Sequence, residues 1–176
     1  MPATKSRERK PKALANTAHH EAGHAVAALL FRLPVKLVSI VPEEAFAGFV
    51  RFGDTRGRNA AAGLLNGASF DGLARVLKEL IVLLAGMEAQ RHYCPQSCRK
   101  FHVSSDHAQA LDYSLSFCGG NKQEAEFFLR WLCKRAENLV TEICWPDIRS
   151  LANELVVRRV MTGREVSSFL HAAQAK

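Results

Sequence analysis

No apolar run in this chain is long enough to cross a bilayer. The nearest, from Leu77 to Met87, is broken by Lys78 and Glu79, and a spanning helix needs about 20 apolar residues. The chain also lacks a G-x-x-x-x-G-K-[ST] phosphate loop and a G-x-G-x-x-G turn, so nothing in it reads as a nucleotide-driven motor. Acid is in deficit: 24 Lys and Arg face 17 Asp and Glu, a net charge of +7. Part of that excess sits in residues 1–12, where five basic residues accompany one acid. This segment has neither the apolar core of a secretory signal nor the amphipathicity of a transit peptide. It reads as a disordered basic tail over residues 1–13. Nucleic-acid binding is not expected, because no nucleic-acid fold signature accompanies the tail. The five cysteines are odd in number and widely scattered, which argues against a disulfide framework and for a reducing, cytoplasmic setting.

The remaining residues, 14–176, read as one domain. A hydrophobic content of 48% is enough for a sizeable core. The periodicity predicts a mainly α, α+β fold. A helix is expected from Thr17 to Arg32, capped by Asn16 or Thr17, with Ala22, Val26, Leu29 and Leu30 on its apolar face. Val35 to Val41 and Phe49 to Phe52 read as a small hairpin. Residues 54–69 read as a loop. Leu73, Val76, Leu77, Leu80, Ile81 and Leu84 follow helical spacing within a helix from Phe70 to Tyr93. Further helices are expected from Asp106 to Phe117, Lys122 to Ile143 and Trp145 to Val160. A capping box at Thr162 to Glu165 opens a last one. Trp131 and Trp145 read as core.

The chemistry-bearing stretch is His20-Glu21-Ala22-Gly23-His24, an H-E-x-x-H motif. On a helix, positions i and i+4 share one face, so His20 and His24 can hold one metal ion. Glu21 can then serve as general base toward a water on that metal. The motif is short, and a helix with chance histidine spacing also fits it. Glu88 falls on the apolar face of its helix, where an unpaired carboxylate is costly. It is read as a partner of a ligand histidine, as a ligand, or as half of an ion pair. His19 and His107 point away from their neighbours' metal. His92, Cys94, Cys98 and His102 have the ligand types of a structural zinc site, but their spacing matches no common zinc motif. Free cysteines are the simpler reading.

Several blocks, taken in order, resemble the peptidase domain of the FtsH-type ATP-dependent zinc metalloproteases. Thr17-Ala18-His19-His20-Glu21-Ala22-Gly23-His24-Ala25-Val26 is similar to that family's T-A-x-H-E-A-G-H-A signature. Lys36 to Pro42 resembles the strand that follows, and Gly48-Phe49-Val50 the start of its pair. Leu84-Ala85-Gly86-Met87-Glu88-Ala89 resembles the hydrophobic-G-G-x-x-A-E helix. Ser104-Ser105-Asp106 with Ala110 resembles the segment that carries a third zinc ligand. The chain departs from the pattern at Ala85, at Leu111 (where a threonine is common) and at Gln90, which replaces a glutamate.

The resemblance implies a zinc metalloendopeptidase. His20, His24 and Asp106 would hold Zn2+, and Glu21 would be the catalytic base. A protein or peptide substrate would pair with the strand near Phe49. Members of that family carry membrane anchors and an ATPase module, and these residues show the signature of neither. The expectation is therefore a stand-alone peptidase that attacks flexible or unfolded segments, or that receives substrate from a separate ATPase. A homo-oligomer is a further expectation. The alternative is a binding or regulatory module that keeps the fold without turnover.

Overall fold

Pro11 opens the first helix, α1 (Pro11–Leu30). A proline in the first turn loses no helical hydrogen bond, because that N–H has no partner there. The alanine-rich run that follows propagates the helix. The structure is a computed structural model and describes residues 11–43, 47–53, 70–98 and 105–174. Most of the basic tail lies outside these residues, but residues 11–13, read as tail, are helical. Asn16 and Thr17 do not cap the helix. Thr17 lies inside it and donates from Oγ1 to the Ala13 carbonyl at 3.1 Å. The helix closes where expected, before Pro34. Arg32 takes a left-handed φ of 58°, and Leu33 N–H reaches back to the Ala28 carbonyl at 2.8 Å. This is the closure glycine usually provides. Leu30, expected on the buried face, is half exposed.

The strands are β1 (Val35–Ser39), β2 (Phe49–Phe52) and β3 (Val160–Thr162). The expected hairpin is present, with Val38 opposite Val50 and Ser39 opposite Phe49. The sheet has a third strand that sequence reasoning missed. β3 pairs antiparallel with β1, Val38 facing Met161, so the order is β2-β1-β3. Three residues are too few to show alternation, and they fall between the expected helix end at Val160 and the capping box expected from Thr162.

The other helices are α2 (Phe70–Tyr93), α3 (Ser105–Phe117), α4 (Lys122–Asn138), α5 (Trp145–Arg158) and α6 (Gly163–Gln174). A short 3-10 turn, Pro95–Cys98, follows α2. A π-helical segment, Leu139–Cys144, joins α4 to α5. Within it, Thr141 donates from Oγ1 to the Glu137 carbonyl at 3.0 Å. The capping box forms as expected: Thr162 N–H donates to Glu165 Oε2 at 2.8 Å, and Glu165 N–H to Thr162 Oγ1 at 3.3 Å.

The protein is thus mainly α with a small antiparallel sheet. Its core centres on α1, which is buried from Thr17 to Ala28 except at the partly exposed His20 and packs against α2 and α5. Gly23 sets the closeness of the first contact. A Cβ there would come within 2.6 Å of the Ala85 carbonyl and 2.7 Å of the Ala89 methyl. Leu84, Leu132, Leu151 and Leu155 are fully buried around this axis. Trp131 is not core as expected but 49% exposed. On α4 the inward stripe is Leu129, Leu132 and Ala136, and Trp131 is turned off it by about one residue's rotation. No helix among the described residues is long and apolar enough to cross a membrane.

Candidate metal centre

Burial of α1 on nearly every side carries polar groups into the interior. His24 and Glu21 are 8% and 5% exposed, and His20 lies one turn from His24 on the same helical face. The first turn of α3 delivers Asp106 from the opposite wall. Asp106 Oδ2 lies 3.0 Å from His20 Nε2 and 3.5 Å from His24 Nε2, and the two Nε2 atoms are 3.0 Å apart. These three side chains form a group that can hold a metal ion, the one such group among the described residues.

The far side of each imidazole is tied down. His24 Nδ1 lies 2.8 Å from the Val82 carbonyl. A carbonyl only accepts, so Nδ1 carries the hydrogen. His20 Nδ1 donates to Gln90 Oε1 at 3.1 Å. Such outer partners orient a ligand histidine and leave Nε2 free to face a cation. Gly86 makes room for the arrangement: a Cβ there would overlap the His24 ring, coming within 2.6 Å of Cδ2.

The electrostatics favour positive charge at the point of convergence. Burial alone would push the Asp106 carboxyl up, but its contacts with His20 and His24 hold it well below the usual carboxylate range. Burial likewise pushes His24 down, yet Asp106 and Glu21 outweigh it and raise its pKa to about 9. A metal ion at this point would have to displace that proton, so its binding would strengthen as pH rises. Glu21 behaves differently. Burial raises its carboxyl, and the neighbouring histidines only partly oppose that rise.

Glu21, His20, His24 and Asp106 line a cavity of about 700 Å³, with β2 along its rim and Tyr113 and Gln109 of α3 on its wall. β2 is an edge strand of the sheet. Gly48 lets the chain enter β2 directly over Glu21, where a Cβ would meet Glu21 Cγ at 2.9 Å and the Ser39 carbonyl at 2.7 Å.

Of the three readings of Glu88, the structure shows the ion pair. Glu88 is 2% exposed and pairs with Arg91, which also reaches Glu137 at 3.7 Å. Glu88 is not part of the metal-ligand group. The orienting role once considered for it falls to Gln90, two residues on, which sequence reasoning noted only as a departure from a family pattern. His19 turns away from the metal ligands as expected. It stacks on Tyr93 with ring centroids 3.7 Å apart, and its Nδ1 lies 2.8 Å from the Ala15 carbonyl. The second cysteine–histidine group is not gathered among the described residues. The His92 ring meets Trp145 edge to face, Cys94 is buried, and His102 lies outside the described residues. All five cysteines are free. Burial pushes the Cys133 and Cys144 thiols up to about 11, which makes them poor nucleophiles.

No protein-family model matches the chain, and no curated protein matches its sequence.

Proposed function

We propose that the protein is a zinc-dependent metalloendopeptidase of the FtsH peptidase type, acting on flexible or unfolded protein segments. One observation carries the reading: two imidazole Nε2 atoms and a carboxylate oxygen converge beside a buried glutamate, in the lining of a cavity to which an edge strand also contributes. The donor set fits zinc. Bonds of about 2.0–2.1 Å to a tetrahedral zinc place neighbouring ligand atoms about 3.3 Å apart, and the three separations here are 3.0, 3.0 and 3.5 Å. Two histidines and one carboxylate leave a fourth position open, as catalytic zinc sites do.

His20, His24 and Asp106 would hold the metal, which would supply Lewis acidity for peptide hydrolysis. Glu21 takes a proton from the attacking water and returns it to the leaving amine. Its burial and raised pKa suit a group that must both accept and release a proton. The outer edge of β2, unpaired among the described strands, would align an extended chain by main-chain hydrogen bonds. A separate ATPase would extend the substrate range to folded proteins.

The test uses purified protein with casein or a quenched peptide library. Zinc should bind at one per chain, and cleavage should stop on chelation and return with zinc. Glu21→Gln should bind zinc but lose activity by about 10²-fold or more. Full activity in Glu21→Gln, or a wild-type protein that cleaves nothing when zinc-loaded, rules the proposal out.

A further inference from the structure

We infer that Gln90 and Ser97 form a clamp that sets the tautomer of His20 and thereby the metal affinity of the site. The inference rests on the metal-site reading above and adds Ser97 and its turn behind the Gln90–His20 contact.

The hydrogen-bond directions follow one from another. Ser97 Oγ donates its single hydrogen to the Cys94 carbonyl at 2.7 Å, since a carbonyl only accepts. The Ser97 oxygen is then left to accept, and it does so from Gln90 Nε2 at 3.1 Å. The amide nitrogen of Gln90 therefore faces Ser97, and Oε1 faces His20. His20 must carry its hydrogen on Nδ1 to meet that oxygen at 3.1 Å, which leaves Nε2 bare toward His24 and Asp106. The reversed amide would present N–H to Nδ1 and force the hydrogen onto Nε2, where it would occupy the metal's place.

The turn that supplies Ser97 is itself anchored. Cys94 N–H donates to the Gln90 carbonyl at 2.8 Å, and Ser97 N–H to the Cys94 carbonyl at 2.9 Å. Pro95–Cys98 thus reports on the metal site through Gln90 without touching the metal. Gln90 is a positioning residue, and its neutral amide orients His20 without adding negative charge behind the ligand. A carboxylate there would orient the ring equally and make it more basic.

Zinc affinity, measured by competition with a chromophoric chelator on the full chain, tests the clamp. Gln90→Met keeps the side-chain length and removes the strong acceptor. It should weaken zinc binding about 10- to 100-fold, the usual effect of losing an outer partner. The metal-free melting temperature should barely move. Gln90→Glu should restore affinity to the wild-type value or tighter. Ser97→Ala, which removes the group that orients the amide, should lose affinity in the same direction but less.

A merely structural role would lower the metal-free melting temperature and leave zinc affinity unchanged. Equal zinc affinity in wild type, Gln90→Met and Ser97→Ala overturns the clamp and leaves the peptidase reading standing. A wild type that binds zinc tightly and cleaves nothing overturns the peptidase reading alone.

Discussion

The Nε2 atoms of His20 and His24 stand 3.0 Å apart, while their Nδ1 atoms are committed to Gln90 and to the Val82 carbonyl. This pair needs a cation between its two nitrogens, and in the metal-free protein the proton on His24, whose pKa is raised to about 9, fills that place until a metal ion displaces it. Metal should therefore stabilise the fold itself. With zinc at 1,000 times its dissociation constant, the gain is about 4 kcal/mol, or a rise of roughly 10 °C in melting temperature for a chain of this size. Thermal melts with zinc and with chelator measure it. His24→Ala should abolish the difference, and identical wild-type melts in the two conditions would refute the site.

Gly86 tests the packing behind that site. Gly86→Ala places a methyl group on the His24 ring. The expected result is a loss of zinc affinity together with destabilisation of about 1–3 kcal/mol, typical of overpacking a tight core. Chelator competition and urea unfolding read the two effects. Wild-type zinc affinity in this variant would mean that His24 is not held where it is seen.

Gly48 should separate chemistry from metal binding. Gly48→Ala pushes the entry to β2 against Glu21 and the Ser39 carbonyl, not against any metal ligand. Peptidase activity should fall at least tenfold, because small displacements of a catalytic group are costly. Zinc affinity should stay within about threefold of wild type, as expected where no ligand or ligand partner is disturbed. Parallel losses of both would place Gly48 in the metal cradle instead.

Glu88 gives the pH prediction. Burial lifts its carboxyl from 4.5 to about 6 against the pull of Arg91. The folded form therefore binds a proton more tightly than the unfolded one. That contribution to stability is complete below pH 4.5 and is lost as pH rises through about 6, a change of about 2 kcal/mol. Glu88→Gln should match the wild type near pH 4.5 and exceed its stability by about that amount at pH 7.5. Urea midpoints across the range measure this. A variant less stable than wild type at pH 7.5 would show that the pair with Arg91 is net stabilising.

The parts of the fold that were legible beforehand were those with a complete local pattern. Leu73 to Leu84 repeat at helical spacing, and α2 spans the expected Phe70–Tyr93. Phe49–Phe52 forms the expected strand. Where one residue type outweighed the pattern, the reading missed. Pro11 moved the start of α1 back by six residues, and the three residues of β3 were too few to register. In the metal-ligand group, His20 and His24 announce themselves because their i, i+4 spacing is local. Asp106 lies 86 residues from His20, and only a resemblance to a family pointed to it. Gln90, Val82 and Ser97 had no readable signal as partners, because only the packing of α1 on α2 brings them to the histidines.

The two histidines and the aspartate of the candidate metal group sit on helices of different burial. α1 is buried along most of its length from Thr17 to Ala28, and its Gly23 is packed against the backbone of α2. Its amides from Ala18 to Ala28 are expected among the slowest to exchange with solvent. Asp106 and Gln109, by contrast, approach from a helix whose outer face meets solvent. The group thus joins two donors fixed on an interior helix to one carried by a surface helix.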